Sequence, residues 1–347
     1  MGRPALPKQR AAEKALIGRA LTRMGVTNHT AAMPDPARNM NTHVLAGVLA
    51  RNHPEKTLRC LASLAQGSFR DVAVLFIDNG SGQGIGDAVR ARFPQFEVTV
   101  LDRNVGAAGG RNLILDRFFA GQHRLLLFLD NDVTLREASL ERAVARTAER
   151  LEEDARFGAL GIALAYRDEP DKLWSRGGGC MDWPRAAFRS GRRDPAAEPE
   201  EPALRRVETI PTAFMLSTRD AAEAAGRFVE EYQIYLEDTD WCWQMVKAGY
   251  RLWADAAIRG THDVSSSVGK CSPPFYYYRT RNRMWFFQAE SPLPLRRTRR
   301  AILRHVFLGA FYPELRAGRF ACCAAVARGY LHGLRLPPSL AKRKLKK

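Results

Sequence analysis

The chain predicts an α/β fold in which a mostly parallel, Rossmann-like sheet is flanked on both sides by helices. Three observations carry that expectation. Apolar runs at Val44–Ala50, Val72–Ile77, Phe96–Leu101 and Leu125–Leu129 read as strands buried on both faces, as parallel strands are. Helical spacing fills the intervals between them, which is the rhythm of βαβ units. Polar clusters follow two of the runs, Asp78-Asn79-Gly80-Ser81 and Asp130-Asn131-Asp132, where an open α/β sheet keeps its ligands.

The first helix starts at Pro54, after Asn52 and His53, and its Leu58, Leu61 and Leu64 repeat at helical spacing to Gln66. Ile85–Phe93 is the second. A glycine-rich loop, Asn104 to Gly110, opens a third over Asn112–Phe119, and a charged helix covers Leu135–Glu152. The rhythm changes after Gly158. Strands are expected at Ala159–Tyr166, Val207–Leu216 and Tyr250–Ala254, and helices at Asp238–Ala248 and Pro274–Gln288. Between the first two strands, Gly177–Pro202 reads as a long surface loop of the kind that often serves as a lid.

Apolar residues at 46% and charged residues at 26% are ordinary globular values, but the net charge of +17 is not. Residues 1–42 hold seven Lys/Arg against two acids, and residues 291–347 hold fourteen against one. The middle, 43–290, is almost neutral with 33 against 34. A neutral body of 43–290 therefore lies between a basic extension or linker, 1–42, and a basic amphipathic helical tail, 291–347. Val306–Tyr312 and Phe320–Ala327 fall far short of the roughly twenty residues that span a bilayer. Basic amphipathic helices resting on an anionic membrane surface are the expectation. Neither an aromatic-rich basic sheet nor a helix-turn-helix pattern points to nucleic acid. Cys60, Cys180, Cys242, Cys271, Cys322 and Cys323 have no metal-binding spacing and no secretory leader before them, so they are expected to be reduced cytoplasmic thiols.

Four constellations carry candidate chemistry. Asp130 and Asp132 at a strand end suit a hard divalent cation, though either also suits a helix cap. Asp78 at another strand end suits a base imide N–H, and Asp-Asn-Gly is also good turn chemistry. Asn104-Val105-Gly106-Ala107-Ala108-Gly109-Gly110 departs from a dinucleotide fingerprint, which needs glycine at 108, but it offers close backbone approach and helix N-terminal amides. Glu237, Asp238 and Asp240 crowd one helix start, where acids raise one another's pKa as a general base requires, or simply favour the helix dipole. Downstream lie His262 in a loop and the arginines of Tyr276–Arg283, either phosphate clamps or the polar face of a packed helix.

Taken in this order, the set resembles the family 2 nucleotide-diphospho-sugar glycosyltransferases of the GT-A fold, near rhamnosyltransferase-like members, over Val44 to Gln288. The residues that carry the resemblance are Ala50-Arg51-Asn52, Ile77–Ser81, Asn104–Asn112, Phe128–Asp132, Tyr235–Asp240 with Lys247–Tyr250, His262, and the Arg/Asn-rich helix. The resemblance implies an inverting transferase dependent on Mg²⁺ or Mn²⁺, moving a sugar from a nucleotide-diphospho-sugar to a glycan or lipid-linked acceptor at the inner face of the cytoplasmic membrane. It implies that Asp132 and His262 ligate the metal, and that Asp238, supported by Glu237, is the base. Asn52, Asp78, Asn104, Gly106, Gly109, Gly110, Asp130, Asn131, Arg279 and Arg283 would bind the nucleotide-sugar. dTDP-rhamnose, UDP-hexoses and GDP-mannose stay open as donors, dTDP-rhamnose being the one that the nearest members suggest. A non-catalytic nucleotide-sugar-binding subunit on the same fold is the alternative. Two positions depart from the pattern: Gln244 where relatives often have Arg, removing an expected salt bridge, and Ala107 where Phe is frequent.

Overall fold

The computed structural model describes residues 43–345 except 83, 191–202 and 265–270. The basic extension read over residues 1–42 lies outside these residues. So do 191–202 of the expected lid and the serines after His262.

Strands β1 (Val44–Ala50), β2 (Val72–Asp78), β3 (Glu97–Val100) and β4 (Leu125–Asp130) alternate with helices α1 (Pro54–Ala65), α2 (Ile85–Arg92) and α3 (Gly106–Ala120). The four strands are parallel in the order β4-β1-β2-β3. The chain thus winds outward from β1 and then returns to its other side. That reversal opens a crevice at the carboxyl ends of β1 and β4, where such sheets bind ligands. Register sets the edge of the crevice: Ala50 pairs with Asp78, and Leu49 with Asp130.

Beyond β4 the sheet continues through β11 (Phe214–Thr218), β6 (Phe157–Tyr166), β12 (Arg251–His262) and β10 (Leu204–Val207). β11 runs antiparallel to both of its neighbours, while β6 and β12 are parallel. Two short strands, β5 (Val133–Leu135) and β7 (Leu173–Arg176), pair with β12 and β6. Alternate residues of β1 face opposite cores. Val44, Ala46 and Val48 pack with Cys60, Leu61 and Leu64 of α1 and with α4 (Ser139–Glu153). Leu45 packs with Ile114 and Phe118 of α3, in a core that also takes in α5 (Arg219–Ala225) and Trp241 and Met245 of α6 (Glu237–Lys247). The result is a sheet between two helical layers.

Four expectations are corrected. The helix read from Asn112 begins at Gly106, so the glycine-rich segment is its first turns. It must contain glycine because α3 lies against β1: a Cβ on Gly110 would sit 2.4 Å from Leu49 Cδ1. The helix read from Leu135 begins at Ser139, because β12 captures residues 133–135 as β5. The single strand read over Val207–Leu216 is two, β10 and β11, separated by a turn containing Pro211, which has no N–H for a ladder. The expected loop Gly177–Pro202 contains a hairpin, β8 (Gly179–Asp182) with β9 (Ala187–Ser190).

Helix α7 (Pro273–Glu290) starts with Ser272 Oγ accepting from the Phe275 amide. It is followed by α8 (Leu295–Ala301), a π-helical stretch (Ile302–Leu308), α9 (Gly309–Arg316), α10 (Phe320–Gly333) and α11 (Pro338–Leu345). α10 crosses α7 so closely that a Cβ on Gly329 would lie 2.6 Å from the Tyr277 carbonyl oxygen. No helix among the described residues is long and apolar enough to cross a membrane.

Candidate active site

The crevice floor is built from the ends of β1 and β2. Asp78 is buried and its Oδ1 accepts from the Ser81 amide at 3.0 Å, closing the turn read from sequence. Asn52, in the left-handed region with φ 63°, donates its amide to Ser81 Oγ at 2.8 Å. Asn79 links this turn to α3: its Oδ1 accepts from Val105 N, and its Nδ2 donates to Gly106 O. Asn52, Asp78, Asn104 and Gly106 therefore lie at one end of the sheet.

The amides at the start of α3 are already engaged. Asn104 Oδ1 accepts from Gly106 N at 2.9 Å, while the Gln233 carbonyl accepts from Ala107 N at 2.6 Å and Ala108 N at 3.3 Å. The expected anion cradle at this helix end is not formed in this arrangement. What the glycines Gly106, Gly109 and Gly110 supply is close packing.

Asp130 ends β4, and Asp132 precedes β5. β5 pairs with β12 in the register His262↔Val133, which brings His262 beside Asp132 across 130 residues of sequence. His262 Nε2 lies 3.0 Å from Asp132 Oδ1, and its ring stands nearly perpendicular to that of Trp174 with the centroids 4.3 Å apart. Asp263 pins this junction, with its amide on Asp132 O and its carboxylate between Lys56 Nζ (2.9 Å) and Arg59 Nη2 (2.8 Å). One ligand atom from each of Asp130, Asp132 and His262 falls within 4.8 Å of the others. Two carboxylates and an imidazole in this arrangement fit a divalent cation of the Mg²⁺ or Mn²⁺ kind. Buried His262 Nδ1 has no partner among the described residues, so nothing else holds its ring in one tautomer. Asn131 does not join this set; its Nδ2 donates to Thr57 Oγ1 at 2.9 Å and ties the turn to α1.

Opposite stands the start of α6. The approach to it is strained: Gln233, Tyr235 and Leu236 all have φ between 66° and 72°. Fully buried Asn282 of α7 restrains this loop, its Nδ2 within 2.9 Å of the carbonyls of Tyr232, Ile234 and Tyr235. Arg281 donates to Glu231 O and Tyr232 O, with its guanidinium 4.0 Å from the Trp285 ring. Sequence reasoning points to Arg279 and Arg283 on this helix and misses Arg281 and Asn282 between them. Arg279 is exposed over the Phe275 ring, and Arg283 donates to Ala186 O at 2.7 Å. Burial, with Arg279 nearby, pushes Arg283 down to about 10.

The loop delivers Glu237 and Asp238 into the crevice. Arg111 bridges its two sides, with Nη1 2.5 Å from Glu237 Oε1 and Nη2 3.0 Å from Asp130 Oδ1. It too was missed as a site residue. The available signal was its place beside Asn112 at the end of the glycine-rich motif Asn104–Asn112. Burial raises the Glu237 carboxyl to about 7 against the pull of Arg111. Asp238 is also raised, chiefly by burial, with Arg111 opposing and Asp130 adding repulsion. Asp238 Oδ1 accepts from the Thr239 amide at 2.7 Å.

The salt bridge lost at Gln244 is replaced from far along the chain. Arg343 of α11 binds the buried Asp240 at 2.6 Å, while Gln244 Nε2 donates to the same carboxylate at 3.2 Å. Leu340 of α11 packs with Tyr232 and Leu236. A helix read as part of a basic tail thus supports the acidic motif. Arg343→Ala would leave Asp240 without its cation and is expected to cost about 3 kcal/mol, the lower end for breaking a buried pair, seen as a lower urea midpoint.

The family model described as glycosyl transferase family 2 matches residues 46–193. An N-acetylglucosaminyl-diphospho-decaprenol L-rhamnosyltransferase of Mycobacterium tuberculosis is 28% identical over 252 residues, covering 66% of this chain and 79% of that protein. The structure also resembles the mannosyltransferase PcManGT from Pyrobaculum calidifontis in complex with GDP-Man and Mn²⁺. The TM-score is 0.52 at 15% identity, over 97% of this chain and 87% of that one. S. aureus TarS 1-349 in complex with UDP-GlcNAc gives 0.51 at 15% identity, over 86% and 83%. Residues 46–193 thus match the glycosyl transferase family 2 model, on a fold that the chain shares with solved glycosyltransferases of the GT-A type.

Proposed function

We propose that the chain transfers a sugar, with inversion at the anomeric carbon, from a nucleotide-diphospho-sugar to a hydroxyl of a glycan or lipid-linked acceptor. The observation that carries this reading is the opposition of Asp130, Asp132 and His262 to Glu237 and Asp238 across the single guanidinium of Arg111. Asp132 and His262, with Asp130 beside them, would hold the Mg²⁺ or Mn²⁺. When bound, the cation neutralises charge growing on the departing diphosphate.

Asp78 accepts from the base, and Asn52 and Asn104 line the nucleotide. Gly106, Gly109 and Gly110 let α3 pack close beside the nucleotide, Asn131 keeps the Asp-x-Asp turn in shape, and Arg279 and Arg283 are assigned to the diphosphate. Asp238 takes the proton from the acceptor hydroxyl as that oxygen bonds the anomeric carbon. The bond to the diphosphate breaks on the opposite side, and its electron pair leaves with the diphosphate. Glu237, held by Arg111, orients the turn that presents Asp238.

The relative's name supports L-rhamnose as the sugar transferred and a polyprenyl-diphosphate sugar as acceptor, and dTDP-rhamnose is the donor we assign on that basis. An enzyme with such an acceptor works at a membrane face, and we place this one peripherally on the cytoplasmic side. Residues 43–290 form the transferase body in this reading.

Release of free nucleotide from a panel of dTDP-, UDP- and GDP-sugars, with Mg²⁺, Mn²⁺ or EDTA, tests the proposal. Metal-dependent turnover of one donor, accelerated by crude lipid-linked glycan, is the expected result. Tight donor binding without turnover under any condition would overturn it.

A further inference from the structure

Every exposed large apolar side chain among the described residues lies in one stretch, helices α8 to α10 and the turn after them. They are Leu295, Leu303, Tyr312, Leu315, Phe320, Leu331 and Leu334, between 40% and 69% accessible. Elsewhere among the described residues no large apolar side chain is exposed, so their confinement here is not the ordinary scatter of surface leucines.

The same stretch, 295–335, carries nine arginines and one acid. That acid, Glu314, is buried and already bound by Arg319 and the Tyr276 hydroxyl. Arg296, Arg297, Arg299, Arg300 and Arg304 are all exposed, and none has a carboxylate partner among the described residues. Helical spacing puts charge and apolar surface on shared faces. Arg296, Arg299, Arg300, Leu303 and Arg304 follow one outward stripe, while Thr298, Ala301, Ile302 and Val306 turn inward. On α10, Phe320, Ala324 and Leu331 recur outward in the same way, and Leu334 follows in the turn after it. A cavity of about 290 Å³ lies among these helices, lined by Met284, Gln288, Arg299, Ile302, Tyr330 and Leu334.

We propose that this face docks on the anionic leaflet of a membrane. The arginines meet lipid phosphates and the exposed leucines and Phe320 enter the headgroup boundary, no helix among the described residues being long and apolar enough to cross the bilayer. Charge complementarity selects this occupant: the five exposed arginines carry positive charge that no carboxylate among the described residues neutralises. A nucleic-acid backbone would satisfy the arginines but leave the aliphatic side chains in water, and a second copy would bring arginine against arginine. Because α7 lies under α10 and its Asn282 holds the loop before Asp238, docking sets the crevice close to the lipid surface. This inference rests on the lipid-linked reading of the acceptor only for its purpose, and the binding is measured without any sugar.

Sedimentation of the full chain with phosphatidylcholine vesicles, and with vesicles containing about one-third phosphatidylglycerol, tests it. Binding to the anionic vesicles alone, weakened by raised salt, is expected. Arg296→Gln, Arg297→Gln and Arg300→Gln together should lower it about a hundredfold, at about fivefold for each basic residue. Leu303→Ser with Phe320→Ser should also release the protein, with its far-UV circular dichroism unchanged. Equal binding to neutral vesicles, no binding to either, or variants that bind like the wild type would each overturn the proposal. A dimer that these variants dissociate, in a protein that ignores vesicles, or salt-sensitive binding to random duplex DNA in place of vesicles, would also overturn it. Donor turnover measured on the same preparations separates this failure from failure of the enzymatic reading.

Discussion

Asp238→Asn is expected to lower the transfer rate by about 10² to 10⁴ while leaving the dissociation constant of the donor unchanged, as loss of a positioned base does. The substitution is nearly isosteric, and an amide oxygen can still accept from the Thr239 amide that now binds Oδ1 at 2.7 Å. The turn should survive, and only the proton acceptor is lost. The pH profile supplies an independent check. A base works deprotonated, so the rate falls as pH falls through its pKa in the folded enzyme. Burial and the neighbouring Asp130 raise Asp238, so the acidic limb of kcat/KM should lie above the ordinary aspartate value of about 3.9. Asp238→Asn should remove that limb from the residual activity. A full-rate Asp238→Asn enzyme would sink the assignment. Loss of the limb in Glu237→Gln instead would transfer the base to Glu237, whose Oε1 is 2.5 Å from Arg111 Nη1.

Asp132→Ala is expected to lower turnover by at least about 10² to 10³, the scale set by removing one stabiliser of developing charge. Mn²⁺ binding followed by electron paramagnetic resonance should be lost alongside it. The donor atoms of Asp130, Asp132 and His262 lie within 4.8 Å of one another, so deleting the carboxylate between strands β4 and β5 removes the ligand common to both sides. His262 loses its 3.0 Å partner as well. Fold stability should change little, because Asp263 keeps its two cations on α1 and its amide on the residue-132 carbonyl. Wild-type turnover with unchanged metal response in Asp132→Ala would show that the acidic cluster is not a metal site.

Much of the fold could be read along the chain because it rests on local rules. The runs that became β1, β2 and β4 declare themselves by continuous apolar character, and their boundaries fall within a residue of expectation. Asp78, Asp130 and Asp132 could be nominated because parallel strands deliver ligands at their carboxyl ends. Local reasoning erred where distant chain decided the outcome. β5 exists because β12 pairs with it, and the strand expected over Val207–Leu216 divides because its halves join different partners, β12 on one side and β4 with β6 on the other.

The site divides along the same line. Sequence by itself determined which carboxylates stand at strand ends and at the start of α6, since turn chemistry and helix-start composition act over a few residues. Only the tertiary structure decided that His262 meets Asp132, that Arg111 joins Asp130 to Glu237, and that Arg343 replaces the cation missing at 244. Those contacts span about 20 to 130 residues, and each depends on the order in which strands join the sheet and on which helix packs beneath them. Periodicity within one segment reports the face that segment buries, and carries no record of the residue that will be brought against it.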